Sequence, residues 1–225
     1  MKNQYFGDNK DLFSYDLIYR IMRDGLVSHF SFIPMLTEPD ANSYGGKTDR
    51  NKAKVGAKNI ELVNFLDECI REGKRDIKQL ENFFDGYGID MTIYPESEGH
   101  FSHRHRREYF ALIKDELLNK SLIFVDPDNG LEVARSREQH LLFDEVRHLY
   151  DRMDESSILM LFQHFPREDH HEYLHRRSEE LAELVSGEDP VCIDDDEIIF
   201  FFLTKTESLE HELTHLIQDY AESYS

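Results

Sequence analysis

The sequence predicts an α/β fold, a three-layer Rossmann-like sandwich built around a mainly parallel sheet. Three observations carry this. Short, nearly continuous apolar runs recur at residues 30–36, 91–94, 122–125, 158–162 and 198–203. Segments of helical periodicity alternate with them. Runs without polar alternation suit strands covered on both faces, which is the situation in parallel sheets.

The first helical stripe passes through Leu12, Tyr15, Ile18 and Met22, and Gly25 marks its end. A first strand over 30–36 follows, then a long polar loop over 38–58 that contains Tyr44-Gly45-Gly46. Loops of this length in α/β chains are functional or mobile. Ile60, Val63, Leu66 and Ile70 form the next stripe, closed by Gly73. After the strand at 91–94, a stripe through Phe110, Ile113 and Leu117 precedes the strand at 122–125. Leu142, Val146, Leu149 and Met153 define a further helix before the run at 158–162. Tyr173, Leu181, Leu184 and Val185 define another, interrupted at Arg177 and stopped near Gly187. Val191-Cys192-Ile193 reads as an edge strand. The last strand, 198–203, leads to a terminal helix with Leu209, Leu213, Leu216, Ile217 and Tyr220 on one side. No repeat or linker divides the 225 residues, so one domain is expected.

Composition narrows the function classes. Acidic residues number 46 against 26 basic ones, a net charge of −20. Such a surface repels nucleic acid at long range, so binding a nucleic acid or nucleotide phosphate requires a local basic patch. Arg104, Arg106 and Arg107, within His100-Phe101-Ser102-His103-Arg104-His105-Arg106-Arg107, supply the candidate. The two cysteines, Cys69 and Cys192, make no disulfide framework, and the start of the chain has no signal-peptide pattern. A cytoplasmic location is therefore expected. The longest apolar run is too short for a bilayer, so no membrane association is expected.

In open α/β sheets, ligands bind beyond the carboxyl ends of the strands. Thr37-Glu38-Pro39-Asp40 follows the first strand, Asp126-Pro127-Asp128-Asn129-Gly130 the third run, and Gln163-His164-Phe165-Pro166-Arg167 the fourth. The candidate catalytic residues are Asp126, Asp128, Asn129, His164 and Arg167, with Asp126 first among them. The candidate cofactor-binding residues are Asp8, Thr37, Glu38 and Asp40. Asp8 also suits a helix cap, and Asn129-Gly130 also suits a turn.

Near the end of the chain His211-Glu212-Leu213-Thr214-His215 matches H-E-x-x-H and is similar to the active-site helix of thermolysin-type metalloproteases. His211 points away from the apolar stripe of that helix, and little chain remains for a third ligand. A terminal surface helix is expected instead.

Lys2-Asn3-Gln4-Tyr5-Phe6-Gly7-Asp8, Met35-Leu36-Thr37, the stretch through Asp126-Pro127-Asp128-Asn129-Gly130 and Gln163-His164-Phe165-Pro166-Arg167 resemble an uncharacterised family of bacterial and phage proteins. More distantly, the arrangement is similar to class I methyltransferases that use S-adenosylmethionine, and to three-cysteine-motif-partner-like proteins. Their amino-methylating members carry D-P-P-[YF] after the fourth strand, and Asp126-Pro127-Asp128-Asn129 would stand in that place. The resemblance implies a bound S-adenosylmethionine and an amine oriented by Asp126 or Asn129. Two departures stand out: Asp128 and Asn129 replace the second proline and the aromatic residue, and no glycine-rich turn follows the first strand.

The leading expectation is a Rossmann-like enzyme acting on a nucleotide or nucleic-acid substrate, methyl transfer being its most concrete form. A magnesium- or manganese-dependent nuclease or phosphoesterase is the alternative. There Asp126, Asp128 and Glu132, with Glu38 or Asp40, would hold the metal, and His164 and Arg167 would meet the phosphate. A third expectation is an acidic binding or inhibitor protein that imitates phosphate charge.

Overall fold

Strands buried on both faces need apolar side chains pointing both ways, and the sheet of this protein is built from such segments. The structure, a computed structural model, describes residues 1–41, 46–53, 55–95, 99–187 and 189–224. The elements run α1 (Asn9–Asp24), β1 (His29–Pro34), α2 (Ile60–Arg71), α3 (Gln79–Asp85), β2 (Met91–Ile93), α4 (Arg106–Ala111) and β3 (Ser121–Asp126). They continue through β4 (Gly130–Leu131), β5 (His140–Leu141), α5 (Phe143–Arg152), β6 (Ile158–His164), α6 (His170–Val185), β7 (Val191–Asp194), β8 (Ile198–Leu203) and α7 (Glu207–Tyr224). A six-stranded sheet has the order β2-β1-β3-β6-β8-β7, and β4 and β5 form a separate two-stranded ribbon. β2, β1, β3 and β6 are parallel, whereas β8 runs antiparallel to both β6 and β7.

The register places Phe32, Phe124, Met160 and Phe202 side by side across four strands. These belong to an apolar layer shared with α1, α2, α3 and α7. The intervening residues Ile123, Val125, Leu159, Leu161 and Phe201 face the other layer, against α4, α5 and α6. Aromatic contacts knit the first layer: Phe32 stacks on Phe124 at 5.2 Å, and Phe13 of α1 meets Phe200 edge-on at 5.0 Å. Each such pair contributes about 0.5–1.5 kcal/mol beyond the area it buries. The three-layer α/β sandwich is thus realised.

Several local expectations are corrected. The buried face of α2 passes through Leu62, Leu66 and Cys69, while Ile60 is 61% exposed at the first turn. The stripe through Phe110, Ile113 and Leu117 spans two elements, because α4 stops at Ala111 and a 3-10 turn takes Asp115–Leu118. α6 ends on Ser186 in the left-handed conformation, one residue before Gly187. Arg177 does not interrupt the α6 stripe. It is buried and donates to the Tyr173 hydroxyl (3.2 Å), the Glu180 carboxylate (2.5 Å) and the Glu132 carbonyl (2.8 Å). Arg106 is removed from the basic patch: it is buried and grips Glu145 of α5 through Nε (2.5 Å) and Nη2 (2.9 Å). Arg104 and Arg107 remain exposed.

The terminal helix α7 packs through Leu213, Leu216, Ile217 and Tyr220, leaving His211, Glu212 and His215 exposed. None of the described helices is long and apolar enough to cross a membrane. α7 is clamped to the molecule by Asp16 of α1, 5% exposed. The carboxylate of Asp16 accepts from the Tyr220 hydroxyl (2.7 Å), the Asn59 amide (2.8 Å) and the Tyr224 hydroxyl.

A buried carboxylate with three donors is costly to remove, because the donors are left without partners. Asp16→Ala is expected to lower unfolding stability by about 3 kcal/mol. His211→Ala, at an exposed position, should change it by less than about 0.5 kcal/mol. Denaturant unfolding of both variants tests the contrast.

Candidate functional site

The carboxyl ends of β1, β3 and β6 lie at one edge of the sheet. A cleft of about 1000 Å³ opens there, between the start of α1, the ends of β3 and β6, and the β7–β8 turn. The reversal of β8 brings that turn to the same edge, since Ile198 at its start pairs with His164 at the end of β6.

Asp126 ends β3 and is 7% exposed, with its carboxylate in the cleft wall. Burial pushes its pKa up to about 7, and the neighbouring charges of Asp128 and Asp8 act in the same direction. Asp128 lies two residues on. It receives Lys2 Nζ at 2.8 Å and the Thr37 hydroxyl at 3.2 Å. Asn129 lines the cleft too, and its backbone amide donates to the Gln139 carbonyl at 2.9 Å. The turn depends on Gly130, whose φ is +88° and where an added Cβ would lie 2.4 Å from the Gln163 amide oxygen. Gln163 in turn accepts from the Leu131 amide (2.6 Å) and donates to the His164 carbonyl (2.7 Å). The loops after β3 and β6 are therefore one hydrogen-bonded unit.

His164 lines the cleft, with Lys10 Nζ 3.3 Å from its Nδ1. Burial, reinforced by the Lys10 charge, depresses its pKa to about 4. The ring is neutral at physiological pH, and a neutral Nδ1 is a suitable acceptor for the Lys10 ammonium.

α1 contributes its first turn. Asp8 caps the helix by accepting from the amides of Lys10 (2.9 Å) and Asp11 (3.1 Å). Asp11 accepts from the Gly7 amide at 2.8 Å. Burial and then the charges of Asp8 and Asp126 hold the Asp11 pKa well above the usual carboxylate range. The 46–53 segment closes over this turn: the Asn9 amide donates to the Lys47 carbonyl at 2.8 Å, and Arg50 donates to the Gly7 carbonyl at 2.8 Å. Gly46 passes so close to Asp8 that an added Cβ would sit 2.1 Å from its carboxylate. Tyr44 and Gly45 lie outside the described residues.

Of the other sequence candidates, Asp40 lines the cleft and holds Lys2 at 3.1 Å and the Tyr5 hydroxyl at 3.0 Å. Thr37 is buried behind Asp128. Glu38 is exposed outside the cleft, paired with His100 at 2.9 Å. Arg167 is exposed and does not line the cleft. Glu132 turns away, its carboxylate accepting from the Phe143 amide at the start of α5 (2.9 Å). Arg104, Arg106 and Arg107 lie outside the cleft.

Lys2, Lys10, Asp11, Lys47 and the turn residues Asp195, Asp196 and Glu197, none of them a candidate from sequence, also line the cleft. Lys47 pairs with Glu197 at 2.6 Å. Nine carboxylates and four lysines face this space. The balance favours cations, and burial raises the pKa of several of these carboxyl groups, that of Asp126 to about 7.

The two shifted groups leave opposite marks on stability. Asp126 titrates near 3.8 when unfolded and about 7 when folded. Its favourable contribution is therefore present below 3.8 and lost as pH rises through 7. For His164, shifted from 6.5 to about 4, the contribution is complete above 6.5 and lost as pH falls toward 4. Asp126→Asn should thus melt at a higher temperature than the natural protein at about pH 8, with the gap closing below about pH 5. Thermal melts across that range test this, as does a carbon-13 titration of the Asp126 carboxyl group with a midpoint of about 7. A midpoint near 4 would overturn the assignment.

No protein-family model matches the chain, and neither a curated protein nor a solved structure does.

Proposed function

We propose that the protein is a Rossmann-like enzyme that acts on a nucleotide-type substrate in this cleft. Methyl transfer from S-adenosylmethionine to an amine is its most concrete form. The observation that carries the reading is Asp126: a desolvated carboxyl group with a pKa of about 7, at the end of a central strand, in the wall of a cleft of about 1000 Å³. A general base works best with a pKa near the operating pH. In its ionised form Asp126 would accept a hydrogen bond from an amine and take the proton the amine sheds when a methyl group passes to it from a sulfonium, which would leave as the neutral thioether. Asn129, also in the wall, offers an amide that could hold the same amine.

The residues fit a sulfonium better than a dinucleotide. Met35-Leu36-Thr37-Glu38 follows β1, so no bare glycine backbone is offered to a pyrophosphate. The carboxylates that repel phosphate attract a positively charged adenosyl group. S-adenosylmethionine, when bound, supplies the electrophilic methyl group, and the volume is at the upper end of the ~300–1000 Å³ typical of small-molecule sites.

The same charge argues against a nucleic-acid strand, whose phosphates these carboxylates would repel. The magnesium- or manganese-dependent phosphoesterase reading has less support: Glu132 is committed to α5, Asp128 to Lys2, and Arg167 lies outside the cleft.

Calorimetric titration with S-adenosylmethionine and S-adenosylhomocysteine tests the proposal. Both are expected to bind, the sulfonium more tightly than the neutral thioether, with the preference shrinking as salt rises. Asp126→Ala should weaken the sulfonium by about tenfold or more. Absence of binding by either ligand at millimolar concentration would overturn methyl transfer.

A further inference from the structure

Cations of the chain itself already occupy part of the cleft. Lys2 sits between Asp128 (2.8 Å) and Asp40 (3.1 Å), Lys47 on Glu197 (2.6 Å) and Lys52 on Asp49 (3.3 Å). Lys10 is turned to the His164 ring. Three carboxylates on the α1 side are left: among the described residues none of Asp8, Asp11 and Asp126 has an ion-pair partner. Asp8 and Asp11 accept backbone amides. Asp126 is more than nine-tenths buried, faces the cleft, and receives no hydrogen bond at its carboxylate from any described residue. The cation of the chain that acts on it most strongly, the Met1 amino group, donates to the Asp126 carbonyl at 3.4 Å, so the carboxylate stays open toward the cleft for a donor from outside the chain.

We propose that this part of the cleft seats an aliphatic ammonium group, and that the ligand it takes is an organic amine of the diamine or polyamine class. The proposal gives the methyl-transfer reading above a polyamine in place of a nucleotide as its amine and rests on that reading for its catalytic meaning, though the binding itself does not. Three features favour an organic cation. Among the described residues, no three His, Cys, Asp or Glu side chains are gathered so as to hold a metal ion. Ala53, Val55, Pro127 and Phe162 line the same cleft as the carboxylates, which offers apolar surface to methylenes between charges. Lys2, a primary ammonium on a methylene chain, is itself held here by two carboxylates.

Binding is coupled to protons. Asp126 is faced by Asp8, Lys10, Asp11 and Tyr15 of α1, by the Met1 amino group and Asp128, and by His164 beyond Lys10. At about pH 7 Asp126 is near mid-titration, so an arriving ammonium expels a proton.

Spermidine is the probe, titrated calorimetrically into the full chain at low salt in buffers of different ionisation enthalpy. The expected result is saturable single-site binding with net proton release at about pH 7, and no binding of octane-1,8-diol, which matches the shape without the charge. Asp126→Asn and Asp11→Asn, nearly isosteric changes, should each weaken spermidine by about tenfold or more, while the exposed Glu212→Gln leaves it unchanged. Equal affinity in all three variants, many weak sites, or diol binding as tight as spermidine would overturn the proposal. Spermidine binding without S-adenosylmethionine binding would sustain it and remove methyl transfer; the reverse would remove the amine and leave methyl transfer standing.

Discussion

Desolvation of one carboxyl group at the end of a central strand organises this molecule. β3 has β1 and β6 on its two edges and helices on both faces, and all six of its residues are buried. A chain leaving such a strand carries its last polar residue into the protein before it reaches water. Asp126 is that residue, and its elevated pKa follows from the sheet order more than from any special neighbour. The surrounding loops are arranged around this cost. Gln163 ties the loop after β3 to the loop after β6, and Gly130 is the residue whose backbone lets them approach. Lys2 and Lys10 then moderate a field that several carboxylates would otherwise make prohibitive.

The layers were legible in the sequence because the sheet obeys a simple rule. Runs such as 198–203 are apolar at successive positions, and the structure buries all six residues, alternating between the two layers. Helix faces were legible where the stripe is long, as in α1, and less so in α2, where Ile60 fits the period but lies in an exposed first turn. β4 and β5, two residues each, carry no periodicity to read. Arg106 and Arg177 look like surface charge in sequence, and only the fold reveals that Glu145 and the Glu132 carbonyl receive them inside.

The site was partly legible for a related reason. Strand-end reasoning found Asp126, Asp128, Asn129, His164 and Asp40, because each follows an apolar run. It drew in Arg167 and Glu132 as well, since a linear neighbour of a strand end need not face the same way. It passed over Asp195, Asp196 and Glu197, which precede their strand; an antiparallel β8 turns its beginning toward the edge where parallel strands finish. It also passed over Lys10 and Asp11, one turn along a helix where only the cap at Asp8 was conspicuous.

The sheet order has a further consequence at its margins. The outermost strands are β2, with three residues, and β7, with four, and β7 ends in Asp194 beside the acidic turn. An open edge is a template on which a foreign strand can grow, and a short edge makes a poor one. The longest and most apolar strand surfaces, those of β3, β6 and β8, are all interior to the sheet. Ordered self-association through backbone pairing is therefore discouraged at both ends, and the phenylalanine-rich segment 198–203, hazardous in an unfolded chain, is sequestered once β7 and β6 close on it.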